Sequence, residues 1–141
     1  MEDDLEISAR NFILCRGVTF DAKHPEAPYT LHNLLSMVRI VDPEALSTTK
    51  PIYAYLEFFG PAGLYEVWLD LVSLEYDTYG EEFELTNYGP FSLALPEGKF
   101  VQGRCYCLRH VPFFSTGLYE FQLRIAGLYH TVASQSLFVE E

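Results

Sequence analysis

Gly63-Leu64-Tyr65-Glu66-Val67-Trp68-Leu69 returns further along the chain as Gly117-Leu118-Tyr119-Glu120-Phe121-Gln122-Leu123. Each copy opens on a glycine suited to a turn and runs on as an alternating segment with Tyr on its inner parity, the two-residue period of a half-buried strand. Upstream, Ile52 to Phe59 alternates in the same way, and Gly60-Pro61-Ala62-Gly63 reads as a turn with Pro in its favoured second place. If that turn closes a hairpin without a bulge, Phe58 faces Tyr65, Leu56 faces Val67, Ala54 faces Leu69 and Ile52 faces Leu71. All four pairs are apolar, and a slip of one residue would send every one of them to the other face. Similarity between the two copies fades outside the phrase, so a shared steric demand on two strands explains it better than duplication.

The rest of the chain extends the same pattern. Phe12 to Phe20 reads as a strand with Phe12, Leu14, Val18 and Phe20 on one parity and Arg16 interrupting it. Residues 21–28 form a loop with two prolines. Thr30 to Val41 is apolar on both parities, as a strand covered on both sides would be, with a short buried helix as the alternative. Asp42-Pro43-Glu44-Ala45-Leu46 has the form of a helix start of a turn or two. Asp77 to Glu82 is a polar loop. Phe83 to Leu95 reads as two short strands hinged at Asn87-Tyr88-Gly89-Pro90, and Phe100 to Val111 as one strand of unassigned parity. Gly117 to Ile125 and Leu128 to Val139 close the chain as a hairpin around Ala126-Gly127. About eight short strands with Gly/Pro turns predict an all-β, immunoglobulin-like antiparallel β-sandwich, with a closed barrel as the other solution. Residues 1–141 read as a single domain whose first six residues are a flexible acidic N-terminus.

Composition narrows the function classes. In 141 residues, apolar types make up 49%, including 10 Tyr and 11 Phe, enough for a core without staples. No apolar run reaches the ~18 residues of a membrane helix, and Met1-Glu2-Asp3-Asp4 is acidic where a signal peptide is basic, so the expectation is cytoplasmic. The three cysteines agree, since Cys105 and Cys107 are too close along one strand to bridge and an odd count leaves a thiol over. A formal charge of −11 repels phosphate backbones, so neither nucleic acid nor anionic membrane is an expected partner.

The C-terminal third carries a resemblance. Val111-Pro112-Phe113-Phe114-Ser115-Thr116 leads into the second copy of the phrase, then Ile125-Ala126-Gly127 and a last apolar strand. This is similar to a family of small, uncharacterised bacterial β-sandwich proteins, a domain of unknown function. There a Pro-containing loop precedes a Gly-x-Tyr-x-Phe-x-Leu strand. The first strand with Asn33-Leu34-Leu35, and the turn at Gly63, resemble it in placement. The resemblance implies the fold and a bacterial, cytoplasmic setting; it brings no catalytic motif.

The hairpin register also defines a candidate surface. Its outer face would carry Tyr53, Tyr55, Glu57 and Phe59 beside Leu64, Glu66, Trp68 and Asp70, with Tyr55 directly opposite Trp68. Cross-strand aromatic pairing is worth ~0.2–1 kcal/mol, too little to account for so much aromatic area in water. The expectation is an interaction patch of Tyr53, Tyr55, Phe59, Leu64 and Trp68 that binds a protein partner or a second copy. Covering by residues 21–29 or 42–50 is one alternative. A carbohydrate or similar flat ligand held by the same aromatics, with Glu57, Glu66 and Asp70 meeting its hydroxyls, is another. Glu57 opposite Glu66 is an unfavourable like-charge pair, which demands either a nearby cation or Arg or a different register. Cys105-x-Cys107-x-x-His110 splits its ligands between two strand faces, and Asp21-x-x-His24-x-Glu26 lies in a loop, so no metal site and no cofactor are expected. No nucleophile–base motif is present, and the chain reads as a non-catalytic module.

Overall fold

The computed structural model describes residues 6–24, 28–39, 50–74, 83–98, 101–113 and 116–140. Nine strands are described: β1 (Ser8–Phe20), β2 (Tyr29–Leu34), β3 (Met37–Arg39), β4 (Ile52–Phe59), β5 (Gly63–Ser73), β6 (Phe83–Leu95), β7 (Gln102–Leu108), β8 (Gly117–Ile125) and β9 (Ala133–Glu140). They form a four-stranded sheet, β2-β1-β4-β7, and a curled five-stranded sheet, β3-β9-β8-β5-β6. Only the β3–β9 contact is parallel among these pairings. The fold is all-β with two sheets, as a β-sandwich requires. The flexible N-terminus expected over residues 1–6 lies outside the described residues except for Glu6, and the helix start at 42–46 and the polar loop at 77–82 lie wholly outside them.

The apolar parity read from the sequence is the one that packs. Ile52, Ala54, Leu56 and Phe58 on β4 and Val67, Leu69 and Leu71 on β5 are all fully buried, joined by Leu14, Leu108, Phe121 and Leu123. Tyr119 is fully buried against Phe113, ring centroids 5.1 Å apart and edge-on, whereas Tyr65 of the first copy is half-buried. The strands that carry the two copies lie side by side in the five-stranded sheet, and the copies meet only at their last residues. Leu69 pairs with Leu123, the same place in each, so a local twofold relates the strands.

The pairing inferred for the first copy is wrong. β4 pairs with β1 and β7, while β5 pairs with β6 and β8, so Gly60–Gly63 is an arch between sheets, not a hairpin turn. Phe58 and Val67 enter the one core from different sheets. An arch satisfies the same alternation as a hairpin, because both turn the apolar parity toward one core. Tyr65 donates its hydroxyl to the Pro61 carbonyl (2.7 Å), and a Cβ at Gly60 would lie 2.7 Å from Ile7 Cα, so this segment is pressed between Ile7 and Tyr65.

Other elements differ in detail. Thr30–Val41 is not one covered strand: β2 is a largely exposed edge, and the chain then crosses at Leu35-Ser36 to β3 in the other sheet. Phe83–Leu95 is one strand, with a bulge at Gly89-Pro90 opposite Trp68 where a hinge was expected; that Gly-Pro bond is cis. The C-terminal hairpin forms, but its second strand starts at Ala133 rather than Leu128. Phe20 departs from its parity and is exposed. β7 turns Tyr106 and Leu108 inward, and Tyr106 stacks on Phe91 at 4.5 Å.

Candidate functional site

The arch divides the expected patch between two surfaces. Tyr53, Tyr55 and Phe59 lie on the outer parity of the four-stranded sheet, and Leu64 and Trp68 on that of the five-stranded sheet. Tyr55 faces Ile13 and Cys105 on its neighbouring strands, not Trp68. Trp68 sits half-buried opposite Arg124 and against Gly89, and Leu64 is 84% exposed opposite Ala94. Glu57 and Glu66 are therefore no pair. The register was wrong, and an Arg does stand beside Glu57.

That Arg belongs to a network made by a bulge in β1. Arg10 pairs with Glu57 and Ile13 with Tyr55, so two residues of β1, Asn11 and Phe12, oppose Leu56 alone. Asn11 adopts φ 52°, a region Asn tolerates, and Phe12 keeps its place in the core. Asn11 Nδ2 then donates to Glu57 Oε1 (2.7 Å), Arg10 Nε to the same oxygen (3.3 Å) and the Tyr55 hydroxyl to Oε2 (2.8 Å). Burial pushes the Glu57 carboxyl up, but the hydrogen bonds from Asn11, Tyr55 and Arg10 outweigh it and hold the pKa below its ordinary value. Burial, followed by the Glu57 bond, pushes the Tyr55 hydroxyl well above its own.

A second feature closes a groove over this network. Beyond Cys15, β1 runs past β4, and Arg16 ties it to the carbonyls of Lys50 and Pro51. The β1–β2 arm then returns to the sheet. Phe20 packs on Tyr29 (5.2 Å, 60°), and Tyr29 meets Tyr55 edge-on (5.8 Å, 64°). Between arm, floor and the start of β7 lies a cavity of about 530 Å³, lined by Phe20, Pro28, Tyr29 and Tyr55, with Arg10, Glu57 and Gly103 at its floor and sides. A smaller one of about 220 Å³ adjoins it beside Phe59, sharing Arg10, Glu57 and Val101. Gly103 lets the Tyr55 ring take this position. A Cβ would come within 2.7 Å of the Tyr55 hydroxyl and 3.1 Å of Cε1, so the ring lies across bare backbone.

The groove thus takes Tyr55 alone from the expected patch, with Phe59 beside the smaller adjoining cavity. It joins Tyr55 to Arg10, Phe20, Tyr29 and Gly103, with Asn11 bonded to Glu57 beneath; none of these five is legible as a site residue in the sequence. Gly103 alone carries a local sign, since it interrupts a strand as sites of close approach do. Tyr29, at the end of one stretch considered as a cover for the patch, touches Tyr55 edge-on.

The thiols offer little chemistry. Cys15 is buried, its thiol donating to the Gly17 carbonyl, and burial raises its pKa despite bonds to the Gly17 and His32 backbone. Burial, then the proximity of Cys15 and Cys107, pushes Cys105 up to about 12. All three are free, and no group of three or more metal-binding side chains occurs among the described residues. Nor is any helix there long and apolar enough to cross a membrane. Asp21 spends one oxygen on the Lys23 amide and sits 3.6 Å from His24; Glu26 is outside the described residues.

No family model matches the chain, and no curated protein matches it. Among solved structures it is similar to a β-glucosidase from Listeria innocua, solved alone and in complex with isofagomine. That likeness has 7% identity and a TM-score of 0.49, covering 98% of this chain and 16% of the enzyme. It is also similar to the alkylpurine DNA glycosylase AlkC of Pseudomonas fluorescens, bound to DNA containing an abasic site analog. There the identity is 12% and the TM-score 0.44, over 96% of this chain and 31% of that one. The chain thus spans a small part of either protein, and neither likeness carries a site or an activity across.

Proposed function

We propose that this chain is a non-catalytic binding module of immunoglobulin-like form, of the bacterial sandwich type its C-terminal third resembles, and that it works in the cytoplasm. Its binding site is the groove beneath the β1–β2 arm. The observation that carries the reading is a concave space of about 530 Å³ whose aromatic wall meets a floor already locked by three donors to Glu57. That volume lies within the ~300–1,000 Å³ usual for small-ligand sites, and a pre-ordered floor lowers the entropy cost of binding. Glu57 supports binding over catalysis. A general acid or base works best with a pKa near the working pH, and this one is held low.

The test is a fragment screen on isotope-labelled protein read by amide shifts. Hits are expected to move the backbone of Arg10, Tyr55 and Gly103, and to lose that effect in Tyr29→Ala. Hits confined to the five-stranded sheet, or insensitive to Tyr29, defeat the reading.

A protein or self-association surface draws its support elsewhere. Met37, Phe138 and Leu118 are exposed and lie in register across β3, β9 and β8, forming an apolar row. If this row is an interface, Phe138→Ser lowers the solution mass measured by light scattering; an unchanged mass and unchanged partner capture remove it.

A further inference from the structure

We infer that the ligand of the groove is a neutral ring with one apolar face and a hydroxylated rim, that is, a sugar residue, free or as part of a larger glycan. This rests on the groove being the binding site and concerns the class of molecule it accepts. The aromatic wall asks for a flat apolar face: the Tyr55 ring lies across Gly103, and Tyr29 stands edge-on beside it, making a corner. The floor asks for the opposite. Glu57 supplies acceptor oxygens, and Arg10 keeps 65% of its side chain in solvent after giving Nε to Glu57. Gln102 adds an amide at the β7 side.

Other ligand classes fit less well. A purely apolar ligand would bury the Glu57 carboxylate and the Arg10 guanidinium without returning hydrogen bonds, a heavy desolvation cost. A cation meets Arg10 and Arg104 on the same walls, while the one carboxylate there is already neutralised. An anion would meet the Glu57 carboxylate on the floor, while Arg104 already spends its guanidinium on Gln102 and on the carbonyls of Gly103 and Ala94. A sugar ring pays none of these penalties: its C–H face lies on a tyrosine, and its hydroxyls serve as donors to Glu57 and acceptors from Arg10. Affinity for a single residue in so open a groove is on the order of 1 mM, given how few heavy atoms are engaged.

The experiment titrates the labelled chain with glucose, galactose, mannose and N-acetylglucosamine, and with short oligosaccharides of each. Saturable shifts at Arg10, Tyr55, Glu57 and Gly103 are expected for at least one of them, weakened roughly tenfold in Tyr29→Ala, a 1.4 kcal/mol loss. Trp68 emission should stay unchanged, because that residue lies on the other sheet. Should Tyr29→Ala fold poorly, Arg10→Ala, at a mainly exposed side chain, gives the same readout. Tighter binding by oligosaccharides than by monosaccharides would identify a glycan as the source. Shifts of equal strength in both variants overturn the inference. Indole or another aromatic fragment occupying the groove while every saccharide fails also overturns it, yet leaves the groove a binding site. Failure of saccharides and fragments alike sinks both.

Discussion

The two sheets share one core and differ on their outer faces. Within its strands the four-stranded sheet carries Arg10, Arg16 and Arg104 against Glu57 alone, a balance of +2. The five-stranded sheet carries Arg39 and Arg124 against Glu66, Asp70, Glu84, Glu120 and Glu140, a balance of −3. The first face is folded over by its own arm into a groove, with its one carboxylate satisfied three times. On the second, burial and then Glu84 beside it push the Asp70 carboxyl above its ordinary value, only partly offset by Arg124. One carboxylate is held in place by its neighbours and the other is crowded by them. Acidity averaged over the whole chain therefore misdescribes the surface where binding is proposed.

The largest expected effects test the shared core. Phe58→Ala in the four-stranded sheet and Phe121→Ala in the five-stranded sheet remove fully buried rings, and each should cost about 3–5 kcal/mol in urea unfolding with a single transition. Two separate transitions would break the picture of two faces on one core.

Next come two glycines, one in each sheet. At Gly89 φ is 129° and a Cβ would sit 2.8 Å from the Val67 carbonyl oxygen, a backbone atom that cannot step aside. Gly89→Ala should cost about 2 kcal/mol. At Gly103 the obstacle is the far end of the Tyr55 side chain, so Gly103→Ala should cost under ~1 kcal/mol while displacing the Tyr55 ring resonances. Equal losses at both sites would mean that Tyr55 is not free to yield.

The smallest effects sharpen the electrostatic contrast. Because the folded pKa of Glu57 is lowered, its contribution is present above the ordinary value of 4.5 and is lost as pH falls from there through the folded value. Glu57→Gln should destabilise by about 1–2 kcal/mol at pH 7, shrinking in acid. Asp70 has the opposite sign. Its raised pKa makes the ionised group unfavourable once pH rises from 3.8 through the folded value, so Asp70→Asn should stabilise by roughly 0.5 kcal/mol or less at pH 7. Melting curves across pH 3–7 for both variants, with the same sign of change at neutrality, would erase the distinction.

Legibility followed the range of the interaction. Inner and outer parity of β4, β5 and β8 could be read directly, since a strand's period is two and its apolar side chains must leave water. The bulge at Gly89 reads in the sequence as a hinge between two strands, and the one at Asn11 falls just before the strand that the alternation marks from Phe12. Nothing local could locate Arg10 beside Glu57, 47 positions away along the chain, or bring Tyr29 onto Tyr55.

The sequence by itself determined that this is an all-β chain, which side chains form its core and where most strands lie, because alternation and turn chemistry act between near neighbours. Tertiary structure alone decided which strands pair. A hairpin and an arch bury the same residues of Ile52–Leu71, and they differ only in whether the backbone hydrogen bonds of β4 and β5 go to each other or to β1, β7, β6 and β8. That choice took Trp68 away from Tyr55 and put Arg10, Asn11 and Tyr29 in its place.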